Sequence, residues 1–505
     1  MTETIPDKRQ AQPARDTAPV GVPAESAVLA NGKLTARSRT LITLLLVATF
    51  VVFLNETIMG VALPVVMADL GIDASVGQWL TTAFLLTMAV VIPISGYLIQ
   101  RFPTRVLFGV AMSLFSAGTL IAALSPGFPV LLLARVVQAS GTAIMLPLLM
   151  TTVMTLVPPA SRGKMMGNIS IVISVAPAIG PTVSGLILNS LSWRFIFWIV
   201  LPIAVAALIL GLILVVSVGE RSSAPIDIVS IPLAAVGFGS LVYGLSSIGA
   251  SADGSPLMPI WVPFVVGALA LGGFIMRQLV LQRQNRALLD LRTFTSRVFT
   301  ASVITMAITM GALFGSIILL PIYLQTALGL EPLATGLLVL PGGIVMGILG
   351  PIVGRLYDKF GPRVLLVPGT AVVSGALWLL AFAGPTASPL YVGAIYLMLS
   401  IGLAFTFTPL FTSGLGAVKP HLYSHGSAII GTVQQVAGAA GAALFVTILA
   451  VTGAGVATAG GDAAAQAAAG THSAFMVAAS ISMVAIITGL FVTRVADAPS
   501  GAMHH

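Results

Sequence analysis

Apolar residues fill this chain in blocks of about twenty, the length of an α-helix crossing a bilayer, and polar positions gather in short gaps between the blocks. None of the blocks alternates residue by residue, as a barrel strand would. Read at 1.5 Å per residue, the pattern predicts fourteen spans: 41–66, 77–99, 105–124, 128–154, 165–188, 195–217, 229–249, 259–282, 298–322, 334–354, 364–384, 390–412, 425–451 and 472–493. The expected class is therefore an all-α membrane protein with 14 transmembrane helices.

The blocks have an order. Six spans fall in 41–217 and six in 298–495, forming two six-helix bundles, and residues 218–297 hold a linker with two extra helices. GYLIQRFPTR (96–105) follows the second span of the first bundle, and GRLYDKFGPR (354–363) follows the second span of the later one. Such correspondence marks an internal duplication, the usual plan of secondary transporters. Residues 1–40, rich in Pro and Ala and without the apolar core of a secretory signal, are expected to be a disordered cytoplasmic tail. A C-terminal tail occupies 496–505, and the Gly/Ala tract 451–470 is expected to be a mobile loop.

Charge placement orients the spans. Only 8% of the residues are charged, against about 25% in soluble domains. With the N-terminus inside, all but two of the 23 Lys and Arg residues fall in inner segments, the exceptions being Arg135 and Arg194. The net charge of +8 thus faces anionic lipid at the inner leaflet and is no sign of nucleic-acid binding. The chain has no cysteine, which removes thiol catalysis, thiolate metal sites and disulfides. All five histidines are expected in loops or the tail, and no GxxxxGK[ST] phosphate loop is present, so neither an enzyme nor a self-contained ATP pump is supported.

Two ionisable residues remain well inside predicted spans: Glu56 and Arg135. Intramembrane charges are rare and mark pathways for substrates, ions or protons. Glu56 lies about 15 Å from the outer end of its span and Arg135 about 10 Å from the outer end of its own, at similar levels. Burial disfavours an ionised carboxylate and a nearby cation favours it, an opposition that suits Glu56 to gain and lose a proton. Arg135 keeps its charge in any surroundings and is the fixed partner.

Several stretches resemble the major facilitator superfamily. GRLYDKFGPR resembles its GxLxDxxGxxR loop, with Gly354, Asp358, Gly361 and Arg363 in register. The first copy keeps Gly96, Arg101 and Arg105 but has Gln100 for the acid and Pro103 for the glycine. LLLARVVQASGTAIMLP (131–147) resembles the fourth-span motif whose Arg and Gln face a central cavity, here Arg135 and Gln138 on one helix face. APAIGPTVSG (176–185) resembles the antiporter motif of the fifth span through Gly180, Pro181 and Gly185. FLNETIMGVALP (53–64) is similar to the first-span signature of fourteen-span drug:proton antiporters, with Asn55 at the usual aspartate position and Glu56 after it, the arrangement of the lincomycin-resistance type.

The resemblance implies the major facilitator fold and a proton-coupled antiporter in the cytoplasmic (inner) membrane, with both termini cytoplasmic. It exports amphipathic drugs or antibiotics, lincosamides among them, by alternating access. Export of a lipid or cell-envelope precursor, and proton-coupled uptake, are the alternatives. Besides Asn55 and Gln138, the candidate cavity residues are Tyr323, Gln325, Phe405, Phe407, Gln434 and Gln435, since aromatic and polar linings suit amphipathic ligands. The expected partners are a small substrate, protons and membrane lipids; the proton gradient stands in place of a cofactor, and a monomer is expected.

Overall fold

The computed structural model describes residues 34–215, 217, 227–250, 259–384 and 386–494. Most of the 1–40 tail, most of the segment entering the extra helices and the 496–505 tail lie outside the described residues. The long helices are α1 (Ala36–Leu70), α2 (Trp79–Arg101), α3 (Thr104–Ala123), α4 (Phe128–Leu156), α5 (Arg162–Ser190), α6 (Arg194–Leu214) and α7 (Ser230–Ala250). They continue as α8 (Trp261–Leu281), α9 (Arg297–Ile322), α10 (Pro332–Phe360), α11 (Arg363–Ala381), α12 (Pro389–Gly416), α13 (Tyr423–Thr458) and α14 (Ala463–Gly489). Thirteen helices of the described residues are long and apolar enough to cross a membrane, and α7 supplies a shorter apolar stretch over Ser230–Leu245.

Helix packing repeats the sequence duplication. In the first half α1 packs on α4, α5 and α6, α2 on α4, and α3 on α4 and α6; in the second, α9 packs on α12, α13 and α14, α10 on α12, and α11 on α12 and α14. Each contact recurs with every helix advanced by eight. Two matching seams join the halves, α5 against α10 and α2 against α13. The extra helices form a hairpin whose α7 lies on α2 and α13, covering only that seam. Apolar crevices flank α7: one of about 610 Å³ between α2, α7 and α8, the other of about 510 Å³ between α7, α9, α13 and α14. Residues such as Leu269, Met276 and Leu333, at least 70% exposed, are stable on the perimeter because lipid tails are as apolar as they are.

Two expectations are corrected. The tract 451–470 is not a loop: α13 runs to Thr458 and α14 starts at Ala463. Alanine is the best helix former, Asp462 caps the new helix by accepting the Ala465 N–H at 2.8 Å, and only a short turn with Gly460 at φ +82° intervenes. The histidines are not all in loops either. His425 is buried in the first turn of α13, and His472 in α14 bonds the Ala381 carbonyl through Nδ1 at 2.5 Å.

The polar ends of the hairpin are tied to each other and to the loop that leads on to the second half. Asp227 takes two bonds of 2.6 Å from Arg277 and also accepts the Ser230 N–H and hydroxyl. Gln278 donates to Ser230 Oγ and accepts the Leu288 and Leu289 N–H groups. The loop then reaches Asp290, which is bound by Arg292 and lies near His425. Opposite, at the other end of α7, Tyr243 stacks on Trp79 of the first half at 5.8 Å.

Candidate functional site

Arg135 is built into the first half from three sides. It is 2% exposed. Its Nη1 donates to Gln138 Oε1 at 3.1 Å, one helical turn along α4, and Gln138 Nε2 donates to Thr119 Oγ1 of α3 at 2.8 Å. The guanidinium carbon lies 4.1 Å from the ring centre of Phe84 on α2, a cation–π contact that strengthens in dry surroundings. Its Nε is left without a hydrogen-bond partner.

Glu56 is half-buried on α1 and within electrostatic reach of Arg135. The ion pairs closer than 4 Å among the described residues do not include these two. The carboxylate thus senses a fixed positive charge without being locked to it. The next residue sets this orientation. Thr57 Oγ1 lies 3.2 Å from the Ala176 carbonyl on α5, and a side chain at Gly180 would collide with it. The small residues of the fifth-span motif are therefore the seat of α1 beside its acid. Gly185, by contrast, faces open space, with no atom within 4 Å of where a β-carbon would stand, and Pro181 lies within α5.

Asn55 points elsewhere. It is fully buried and both its amide atoms lack partners. Its face neighbours Ile58, Met59 and Ala62 pack among Ala122, Leu131, Ala134 and Phe197, inside the first half.

The remaining cavity candidates are spread out. Gln434, 8% exposed, lies on the α13 face that carries Ser427 and Gly431 toward the first half, where Gly431 meets Ile92 and Pro147; Gln435 beside it is half-buried. Tyr323 is fixed at the end of α9, its hydroxyl donating to the Gly384 carbonyl at 2.7 Å, in a π-helical turn that leaves Gln325 exposed. Phe405 packs against Gly369, Val353 and Leu365, and Phe407 lies in the core beside Phe411. The structure brings together Glu56, Arg135 and Gln138 and sets Tyr323, Gln325, Phe405 and Phe407 in packing or peripheral places.

The two repeated loops close the end of the bundle that carries most of the basic residues. Gly354 and Gly163 bring α10 and α5 into backbone contact, as do Gly350 and Gly167. Asp358 then accepts the Gly163 and Lys164 N–H groups, each at 2.8 Å, so one half caps the other half's helix at its positive N-terminus. Gly361, at φ +81°, ends α10 where a side chain would be strained, and exposed Arg363 starts α11. On the other seam Gly96 lies against Ser424 and Ala428. Gln100, standing where the acid would be, donates to the His421 carbonyl at 2.8 Å. Arg101 ends α2, and exposed Arg105 lies in the first turn of α3.

Phe84 and Thr119 went unseen in the sequence, since an aromatic and a threonine in apolar helices carry no signal of their own. Only the buried Arg135 makes them functional neighbours.

Two duplicated helix bundles joined along two seams, with a buried guanidinium and a half-buried carboxylate within one of them, define a membrane carrier. The sequence model of the Major Facilitator Superfamily matches residues 45–442, and the chain belongs to that family. It is 41% identical over 420 residues to the lincomycin resistance protein LmrB of Listeria monocytogenes, covering 83% of this chain and 88% of that protein. It is 40% identical over 406 residues to LmrB of Bacillus subtilis, covering 80% and 84%. The human organic anion transporter MFSD10 shares the fold, with a TM-score of 0.64 at 14% identity over 90% of this chain and 99% of that one.

Proposed function

We propose that this protein is a proton-driven exporter of amphipathic drugs or antibiotics, lincosamides among them, in the cytoplasmic membrane. Its fourteen helices, α7 included, then cross the bilayer with both termini in the cytoplasm. The observation that carries the reading is Glu56, a half-buried acid in the centre of a membrane helix, facing a fixed guanidinium without pairing to it. Identity to LmrB proteins supports the drug class.

In this mechanism Glu56 takes a proton from the outer side and releases it inward, while Arg135 keeps the ionised form accessible. Substrate competes for the ionised form, so loading of one displaces the other. Each charge moved inward gains about 2.3 kcal/mol per 100 mV, which drives export without nucleotide. In this reading Gln138 acts by holding the Arg135 guanidinium, and Gln434 orients a mostly apolar ligand.

The test is transport in reconstituted vesicles under an imposed pH gradient, with a panel of lincosamides and amphipathic cations. Glu56→Gln is expected to abolish gradient-driven accumulation while the protein stays folded and inserted. Full gradient-driven transport by that variant overturns the proton role. A wild type that moves none of the panel overturns the substrate class.

A further inference from the structure

Two pairs of hydroxyls cross between the halves at matching places. Thr151 Oγ1 on α4 lies 2.7 Å from Ser427 Oγ on α13, and Thr408 Oγ1 on α12 lies 2.8 Å from Ser170 Oγ on α5. Helices α4 and α12 are counterparts in the repeat, as are α5 and α13. The spacing between counterparts is the same, from 151 to 408 and from 170 to 427. The two bonds are thus images of one another, with a hydroxyl at all four positions.

Their depth gives them a task. Thr408 and Ser427 are fully buried and Ser170 is 7% exposed. Toward the basic end lie the backbone contacts of Gly163, Gly167 and Gly96 and the Asp358 and Gln100 latches. In the opposite direction, about 10 Å along α13, lies Gln434. We propose that Thr151, Ser170, Thr408 and Ser427 form a symmetric hydroxyl clasp between the halves that holds the basic end shut and parts when that end opens.

Hydroxyls suit a contact that must break in every cycle. Each can donate and accept, and two of them already have a fallback on their own helix. Ser170 Oγ lies 3.2 Å from the Met166 carbonyl, and Ser427 Oγ 3.0 Å from the Ser424 carbonyl. Parting therefore strands neither serine, whereas a salt bridge at this depth would strand two charges. A neutral hydrogen bond contributes about 0.5–1.5 kcal/mol net, so each pair shifts the closed-to-open ratio about twofold to tenfold.

The absence of cysteine makes the test direct. Spin labels on Lys164→Cys and Lys419→Cys, both exposed at the basic end and on opposite halves, report the separation by double electron–electron resonance without substrate or gradient. Thr151→Val and Thr408→Val are each expected to raise the open population about twofold to tenfold, to similar extents, and the double variant by the product. Thr151→Ser and Thr408→Ser, which keep the hydroxyl, are expected to match the parent. If the double valine protein does not fold, Ser170→Ala with Ser427→Ala removes the other partners and is expected to give the same shift. Unchanged distances in the hydroxyl-deleted variants, or equal shifts in the serine ones, overturn the clasp. Neither result depends on what the protein transports.

Discussion

Asn55 and Glu56 are adjacent in the chain and turned about 100° apart on the helix, and that rotation separates a fully buried amide from a half-buried acid. Asn55 faces the interior of the first half, while Glu56 faces the charge of Arg135. The sequence identifies both as polar intruders in an apolar span, and the placement of charges alone is enough to single out Glu56 and Arg135. It cannot rank Tyr323 or Phe407, because aromatic residues in membrane helices are mostly packing and their direction depends on neighbours far along the chain. Arg135 has the sharper energetic signature. Arg135→Ala deprives Gln138 Oε1 of a charged donor and Phe84 of its cation. The expected loss is about 1.5–3 kcal/mol of stability, read as a lower thermal midpoint in detergent together with lost transport.

Helix ends divide into those the sequence specifies and those it conceals. The GRLYDKFGPR loop is legible because its glycines and acid serve local geometry: Gly361 ends α10 and Asp358 caps α5. The Gly/Ala tract is deceptive because low complexity in composition says nothing against helix when the residue is alanine. The hairpin's foot is illegible for another reason, since its bonds join residues fifty positions apart. There the hydrogen bonds of Arg277, aided by Ser230, outweigh burial and hold the Asp227 carboxyl down to about 2, below the usual value of about 3.9. The stability from this contact is fully present above the unfolded value and fades as pH falls through the folded one. Between about pH 4 and pH 2 the wild type is therefore expected to lose stability through this site. Asp227→Asn should lack that loss and be less stable at pH 7, which thermal unfolding across the pH range will show.

At the scale of the molecule, duplication organises most helix contacts, the hairpin and the packing of α13 on α14 being the exceptions. Matching helix contacts, matching seams and matching hydroxyl pairs follow from one bundle used twice. The repeat is visible in the sequence through its two loops. The hydroxyls fall into register one residue short of the spacing those loops define, and nothing local marks them. The hairpin has no counterpart: its Gln278 and Asp290 bonds stay within the linker, Asp290 lies near His425 of the second half, and Tyr243 stacks on Trp79 of the first.

The substitution of Gln100 for an acid breaks the symmetry at one point, and the break is electrical. The seam between α5 and α10 is fastened by a carboxylate on a helix N-terminus, whereas the seam between α2 and α13 is fastened by a neutral amide on a carbonyl. Mobile ions screen the first and are indifferent to the second. Raising ionic strength on the basic face is thus expected to loosen α5 from α10 while α2 holds to α13, measurable as label separations that grow with salt on one seam only. The closed end would then swing about its uncharged side like a door on its hinge, and the charge on Asp358 decides which edge carries the handle.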